Sequence, residues 1–396
     1  MSSSSVGQRV LWLQVLGLAA VQGAISLTWV IYNLYLDDLL LTLGFSAGLA
    51  AVLLIIENAL GAVMEPLMGS FSDRRQHWVG SRFPQIALGM ILSAVCFLVI
   101  PLVVLIGVSL KALLPFVLVA WAMAMTVFRS PALSLLGRYA FEADLPQAAS
   151  VLTMVGGVTG AMAPLASDFI LNLGPLAAFS IGTVVLLLAA FVLQQVKPGT
   201  TVTGNAAKAG ATVEMSWANL PWIFATGAGV ALGLRLLLQS FPKAVAGTGF
   251  GQPKLIMGAL FITVALSALP CGKLATKLGN RRSMVMGFGL MILTVIATAV
   301  MGTAGIAVLV AIAIGIAFSL VANGTLPYAL SMVPPTKAGL GTGLYFSGGA
   351  AAMSLLGSLG ADLSTGLALV IAAISFAVAA GCVVAKQPNL NVRESN

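Results

Sequence analysis

The sequence predicts an all-α integral membrane protein: 12 transmembrane helices in two pseudo-symmetric six-helix bundles. Three observations predict it. The first is composition: the 396 residues are 59% hydrophobic and 8% charged, with a mean hydropathy of +1.06. A soluble chain carries about 25% charged residues. There is too little polar surface here to cover a globule, which excludes a soluble enzyme, a disordered chain and a disulfide-built scaffold. The second is segmentation: the apolar residues fall into twelve runs, each near the roughly 20 residues that one bilayer crossing needs. The third is repetition: the second half of the chain repeats features of the first.

The runs predict helices at 10–36, 45–70, 84–107, 111–137, 147–171, 174–194, 217–240, 253–278, 283–302, 304–332, 338–358 and 362–385. Lipid cannot hydrogen-bond an open backbone, so runs of this length are helical. Arg9 precedes the first run, which continues without a small-residue cleavage site and therefore reads as a transmembrane helix rather than a secretory leader. The polar stretch 195–216 reads as a flexible cytoplasmic linker between an N-terminal bundle, 1–194, and a C-terminal bundle, 217–396.

Lys and Arg set the orientation. Fourteen of the 19 fall on the side of the two termini: Arg9, Arg74, Arg75, Arg82, Arg138, Lys197, Lys208, Lys273, Lys277, Arg281, Arg282, Lys337, Lys386 and Arg393. The positive-inside rule then puts both termini in the cytoplasm. The compact loops suit a multi-pass protein of a bacterial inner (plasma) membrane. The net charge of +8 does not mark a nucleic-acid binder, because the cations sit singly or in pairs between apolar runs and not on one face. Cys96, Cys271 and Cys382 make no metal spacing, and an odd count closes no disulfide set. His77 is the single histidine. Neither a metal nor a cofactor is expected. A phosphate-binding loop and a nucleophile–base pair are both absent from the sequence, so neither ATP hydrolysis nor enzymatic catalysis is expected.

The internal repeat appears at three places. Gly69-Ser-Phe-Ser-Asp73-Arg74-Arg75 follows the second run, and Gly272-Lys-Leu-Ala-Thr276-Lys277, with Arg281 and Arg282 beyond it, follows the eighth. Pro131-Ala-Leu-Ser134 is matched by Pro327-Tyr-Ala-Leu-Ser331, and Gly156-Gly157 by Gly348-Gly349. The offsets are 203, 196 and 192, each near half of 396. Three matches in one order indicate a duplicated six-helix unit, the construction used by many carriers.

These features together resemble the major facilitator superfamily over nearly the whole chain. The resemblance implies that fold, cytoplasmic termini, a monomer, and transport of a small solute across the bilayer by alternating access. It also implies that the Gly69, Asp73 and Arg74 motif locks the cytoplasmic side when the carrier faces outward. Gly272, Arg281 and Arg282 form the second copy, in which Thr276 stands where the first has an acid. Glu65-Pro66-Leu-Met-Gly69-Ser-Phe-Ser-Asp73-Arg74, and Phe128-Arg129-Ser-Pro131-Ala-Leu with Glu142-Ala-Asp144-Leu-Pro146-Gln147, are similar to the sucrose/proton symporter-like and melibiose-type cation-symporter branch. That branch implies a symporter, proton-coupled, for an organic solute such as a sugar. The alternatives are a drug or amphipathic-compound exporter working as a proton antiporter, and a non-transporting membrane assembly factor.

A charge at the bilayer centre costs roughly 2.5–3.5 kcal/mol on insertion scales, so intramembrane charges need a reason. Glu57 falls mid-helix beside Asn58 and is the expected proton carrier. Glu65 and Arg129 fall at similar depths on two helices and are expected to pair, tuning Glu57. Arg235 and the pair Asp37 and Asp38 fall near the outer ends of the seventh and first helices, where an ion pair would close an outer gate. Gln22, Trp29, Tyr32, Asn33, Asn58, Gln239, Asn323 and Tyr328 are the expected substrate-binding set, because amides and aromatic faces suit a polar organic solute. The paired glycines are expected to let helices approach closely.

Overall fold

The computed structural model describes residues 10–197, 215–249, 251–359 and 363–385. Most of the expected linker, and Arg9, Lys208, Lys386 and Arg393, lie outside the described residues. Twelve helices of 20 residues or more are described: α1 (Trp12–Thr42), α2 (Leu49–Val79), α3 (Phe83–Ile106), α4 (Leu114–Leu133), α5 (Leu145–Leu165), α6 (Pro175–Gln195), α7 (Leu220–Ala246), α8 (Pro253–Leu278), α9 (Asn280–Val300), α10 (Ala304–Ser331), α11 (Ala338–Ser358) and α12 (Thr365–Ala385). Eleven of the helical segments are long and apolar enough to cross a membrane. The exception is α11, which has six glycines and three serines among its 21 residues. Its composition follows from its place. It is packed between α2 and α7, where small side chains permit close backbone approach.

α1 and α7 each run six residues past the sequence expectation, to Thr42 and Ala246, and three other helix ends differ from it for a local reason. α2 runs on to Val79, so Gly69, Asp73 and Arg74 lie on a helix and not in a loop. Gly80 ends α2 with φ 74°, a left-handed cap that side chains resist. α4 stops at Leu133, just past Pro131, and a short helix at Leu136–Tyr139 follows. α5 stops at Leu165 after Pro164 and gives way to another short helix, Ser167–Asn172. A proline removes one backbone donor and crowds the preceding turn.

Two hydrophobic cores result. The first is built from α1 to α6 around Trp121, Phe97, Phe179 and Tyr32. Phe97 lies 4.4 Å from Phe179 and 5.1 Å from Trp121, ring centre to ring centre. The second, from α7 to α12, includes Phe288 and Phe376, 6.5 Å apart. At the end that bears the basic residues, Leu326, Leu330 and Ala338 of the second half pack into the first core. The two halves are therefore joined at this end, termed here the basic end.

Between the halves, α2 lies along α11 and α5 along α8. A Cβ on Gly69 would land on the Gly339 carbonyl, and one on Gly157 would lie 2.6 Å from the Ala265 nitrogen. The prolines are used in the same interfaces. Pro66 frees the Ala62 carbonyl, which accepts a hydrogen bond from Ser347 Oγ of α11. Pro131 frees the Val127 carbonyl, which accepts from Gln85 Nε2 of α3 at 3.3 Å. Each broken helical bond is thus replaced across a helix–helix contact.

Glycine contacts of this kind predict an asymmetric response to added bulk. A Cβ on Gly348 would collide with the Phe224 carbonyl, whereas Gly381 has nothing within 4 Å. Gly348→Val is expected to cost about 1–3 kcal/mol, the usual range for overpacking, and Gly381→Val nothing measurable. Thermal unfolding of the two variants in detergent checks this; equal losses would contradict the packing described.

Candidate transport site

A cavity of about 550 Å³ lies between the two halves, within the roughly 300–1,000 Å³ usual for small-molecule sites. The first half contributes Gln22 and Ser26 from α1, Asn58 from α2, Arg129 from α4, and Thr153 and Gly156 from α5. The second half contributes Phe261, Phe318, Thr325, Tyr345, Phe346, Gly349 and Met353, among others. Most of the wall is apolar or glycine. Its one charged side chain among the described residues is Arg129. Leu133 and Leu326 form the wall nearest the basic end.

Arg129 does not stand alone. Its Nη2 lies 2.5 Å from Glu65 Oε1, and Ser130 Oγ donates to the other carboxylate oxygen. The pair is asymmetric: the Arg129 side chain is 22% exposed and that of Glu65 is 0% exposed. The guanidinium also sits over the Phe346 ring, 4.6 Å from its centre, a geometry in which the ring face attracts the cation. Arg129 Nε is buried without a partner. The α2 and α4 backbones bring the pair together. Glu65 precedes Pro66 on α2, Ser130 precedes Pro131 on α4, and both prolines direct their freed carbonyls into neighbouring helices.

Glu57 has a different environment. It is 4% exposed, and Tyr32 Oη donates to its Oε1. Tyr32 packs in turn with Trp29 and Trp121, the ring centres of Tyr32 and Trp29 lying 4.4 Å and 4.8 Å from that of Trp121. Glu57 Oε2 and both indole nitrogens are buried without partners. Glu57 is thus inside the first core, while its neighbour Asn58 lies on the cavity wall. Adjacent residues on a helix point about 100° apart, which separates the two roles.

At the basic end, Asp73 joins the halves. Its Oδ1 accepts the Gly339 N–H at 2.9 Å and its Oδ2 accepts the Leu340 N–H at 2.8 Å. These are the first-turn donors of α11, whose own N-cap, Lys337, makes no side-chain cap bond. A carboxylate from the other half therefore supplies the cap and meets the positive end of the helix dipole. Arg82 holds that carboxylate, 2.5 Å from Oδ1, and also donates to Ser134. The second copy of the motif is different. Gly272 presses on Ser150 and the Pro146 carbonyl, but Thr276 Oγ1 is buried without a partner. The close approach is kept there and the ionic cap is not.

The remaining expected residues divide clearly. Gln22 and Asn58 line the cavity. Trp29 and Tyr32 belong to the first core. Asn33 and Gln239 are exposed. Asn323 is fully buried and donates to the Ala268 carbonyl at 2.8 Å. Tyr328 lines a separate space of about 140 Å³ with Asn280 and Arg281. Arg281 donates to the Val384 carbonyl, and Arg282 is exposed. The acids Asp37 and Asp38 and the base Arg235 are all exposed, and among the described residues no ion pair joins them. The ion pair nearest that end is Lys254 with Asp168, 3.0 Å apart, bridging α8 to the segment after α5. Sequence reasoning missed Arg82, Ser130, Ser134, Gly339 and Phe346 as site residues.

The family model described as "Major Facilitator Superfamily" matches residues 17–358. The chain belongs to the major facilitator superfamily. It is accordingly a multi-pass membrane protein and a transporter rather than an enzyme. Among curated proteins no relative matches it. In solved structures it is similar to a bacterial homologue of the iron transporter ferroportin in the outward-facing state. That match has a TM-score of 0.72 and 17% identity, covering 95% of this chain and 99% of the other. The same homologue with soaked iron gives 0.71 and 16%, with the same coverage. At such identity the likeness concerns the fold.

The Arg129–Glu65 geometry generates a stability prediction. Arg129→Gln strands a buried carboxylate and is expected to cost about 3–5 kcal/mol, whereas removing both charges in Arg129→Gln with Glu65→Gln is expected to restore most of it. A double-mutant cycle on thermal unfolding reads this out. Additive losses would show that the two groups do not depend on each other.

Proposed function

We propose that the protein is a proton-coupled secondary transporter that carries a small organic solute through the central cavity by alternating access. The observation that carries this reading is the cavity itself. Both halves line it, and it is shut at the basic end by Asp73 on the α11 N-terminus, a contact that a rocking motion of the halves can make and break. The two hydrophobic cores are the two moving bodies, six helices each, with α11 crossing the bilayer despite its glycines. One chain completes the cavity, which supports a monomer. The bias of Lys and Arg supports cytoplasmic termini in a bacterial inner membrane. On that orientation the conformation is closed to the cytoplasm, and Asp37, Asp38 and Arg235 stand apart at an open outer end.

The wall also bears on the solute. Valine, leucine and phenylalanine side chains outnumber Gln22, Ser26, Asn58, Thr153 and Thr325, so a solute with an apolar body suits it better than a bare sugar. The short likenesses to the sucrose/proton-symporter branch support the coupling ion more than the sugar. The structural neighbours include an iron transporter homologue, but Arg129 in the wall repels a free cation. Export of amphipathic compounds by proton antiport is a second reading that the same apolar wall favours.

The test is the purified protein in liposomes under an imposed proton gradient, with internal pH recorded while sugars, amines, organic acids and amphipathic drugs are added. Solute-dependent proton movement is expected, and its sign gives the direction. No movement of any solute by folded protein would contradict the transport reading.

A further inference from the structure

Resting on that transport reading, we propose that the solute is an amphipathic organic acid whose carboxylate takes Arg129 from Glu65, and that Glu65 then binds the coupled proton. The asymmetry of the pair is the first reason. Only the cation of the pair meets the cavity, because Glu65 is 0% exposed and Arg129 is 22% exposed. An entering solute therefore sees a positive group and not a neutral salt bridge. The fork of the guanidinium offers five donors. Nη2 is held by Glu65, and Nε is buried and has no protein partner, so a second planar anion that displaces Glu65 finds donors that no other protein group holds. Carboxylates are bound in this two-point manner by arginine.

The apolar body has a place as well. Phe346 lies beneath the guanidinium, its ring centre 4.6 Å away, and lines the cavity with Phe261, Phe318 and Tyr345. An aromatic or aliphatic chain extending from a carboxylate on Arg129 meets these faces.

Charge balance supplies the coupling. Before binding, the site holds one cation and one anion. A solute anion that pairs with Arg129 leaves Glu65 as a buried carboxylate without its counter-charge, a state costing several kcal/mol. One proton from water at the open face restores balance: it binds a Glu65 oxygen, and no bond in the solute changes. The loaded site then holds Arg129 as a cation, the solute as an anion and Glu65 neutral. Ser130 accommodates both forms of Glu65, since a hydroxyl donates to a carboxylate and accepts from a carboxylic acid. One acid and one proton move together, so transport carries no net charge.

The surroundings of Glu65 leave the proton to it. From α4 it meets Arg129 and Ser130. α11 contributes no Asp, Glu, Lys, Arg or His; a Cβ on its Gly343 would meet the Glu65 carbonyl, and its titratable side chain is Tyr345. From α3 the nearby polar group is Gln85, bonded to the Met68 and Val127 carbonyls. Elsewhere on α2, Asp73 is held by Arg82, and Glu57, the carboxylate the sequence offered as proton carrier, is bonded by Tyr32 inside the first core and does not line the cavity.

The experiment is calorimetric titration of the full-length protein in detergent with 3-phenylpropanoate, octanoate, 3-phenylpropanamide and 3-phenylpropylamine, in two buffers of different ionisation enthalpy. The expected result is binding of the acids at least tenfold tighter than the amide or the amine, with one proton taken up per acid. Glu65→Gln is expected to bind the acids with no proton uptake, and Arg129→Gln to lose the preference for acids. The wild-type comparison stands by itself if either variant fails to fold. Amide or amine binding as tight as acid binding, acid binding without proton uptake, or no acid binding would overturn the inference. Movement of other solutes in the liposome panel would still uphold the transport reading.

Discussion

The carboxylate of Asp73 on the first turn of α11 is the constraint on which the rest of the structure depends. α11 begins after Pro334, Pro335, Thr336 and Lys337 and brings no cap of its own. Its Gly339 and Leu340 N–H groups are met from α2, in the other half of the chain. That contact is worth about as much as an ordinary helix cap, roughly 0.5–2 kcal/mol. The small value is the point. A strong seal would hold the carrier in one state, whereas one of this size can be offset by solute binding. The glycines at positions 69 and 339 set the distance, and Arg82 and Ser134 set the orientation of the carboxylate.

The charged pair deeper in the cavity works by opposite logic. Asp73 acts through backbone donors at a helix end near the membrane surface. Glu65 is buried completely, and its cost is offset by Arg129 and Ser130 together. The two sites lie on one helix, eight residues apart, so both move with α2. A change at either is felt along the same α2–α11 seam. The glycine–serine character of α11 makes that seam close. It makes the helix less apolar than the eleven other long helices, and it gives Ser347 and Ser354 hydroxyls that reach the Ala62 and Ile55 carbonyls of α2.

Much of this was legible in the sequence, and the limits have physical causes. The helical runs, the repeat and the pairing of Glu65 with Arg129 followed from apolar length, spacing and the cost of a lone intramembrane charge. Gly69, Asp73 and Arg74 were legible as a motif, but the partner of Asp73 was not, because a backbone N–H leaves no residue signature. Thr336, just before α11, even offers a capping side chain in the sequence, so nothing there pointed to a cap from the other half. Which side α2 presents to the cavity was also hidden. The helix is apolar on most faces, so no period separates Asn58 on the wall from Glu57 in the core. For the same reason Trp29 and Tyr32 read equally well as cavity or core residues. Asn323 and Tyr328 gave no sign that they pack within the second half.

Sided access to the cavity is the most direct measurement. With Cys96, Cys271 and Cys382 replaced, a single cysteine at Met353 on the cavity wall is offered a membrane-impermeant maleimide from each face of oriented proteoliposomes. Labelling is expected to be rapid from the face away from the termini and slow from the basic face, with Asp73→Asn raising the second rate several-fold. Equal labelling from both faces in the parent protein, or a rate from the basic face that Asp73→Asn leaves unchanged, would contradict closure of that face by Asp73.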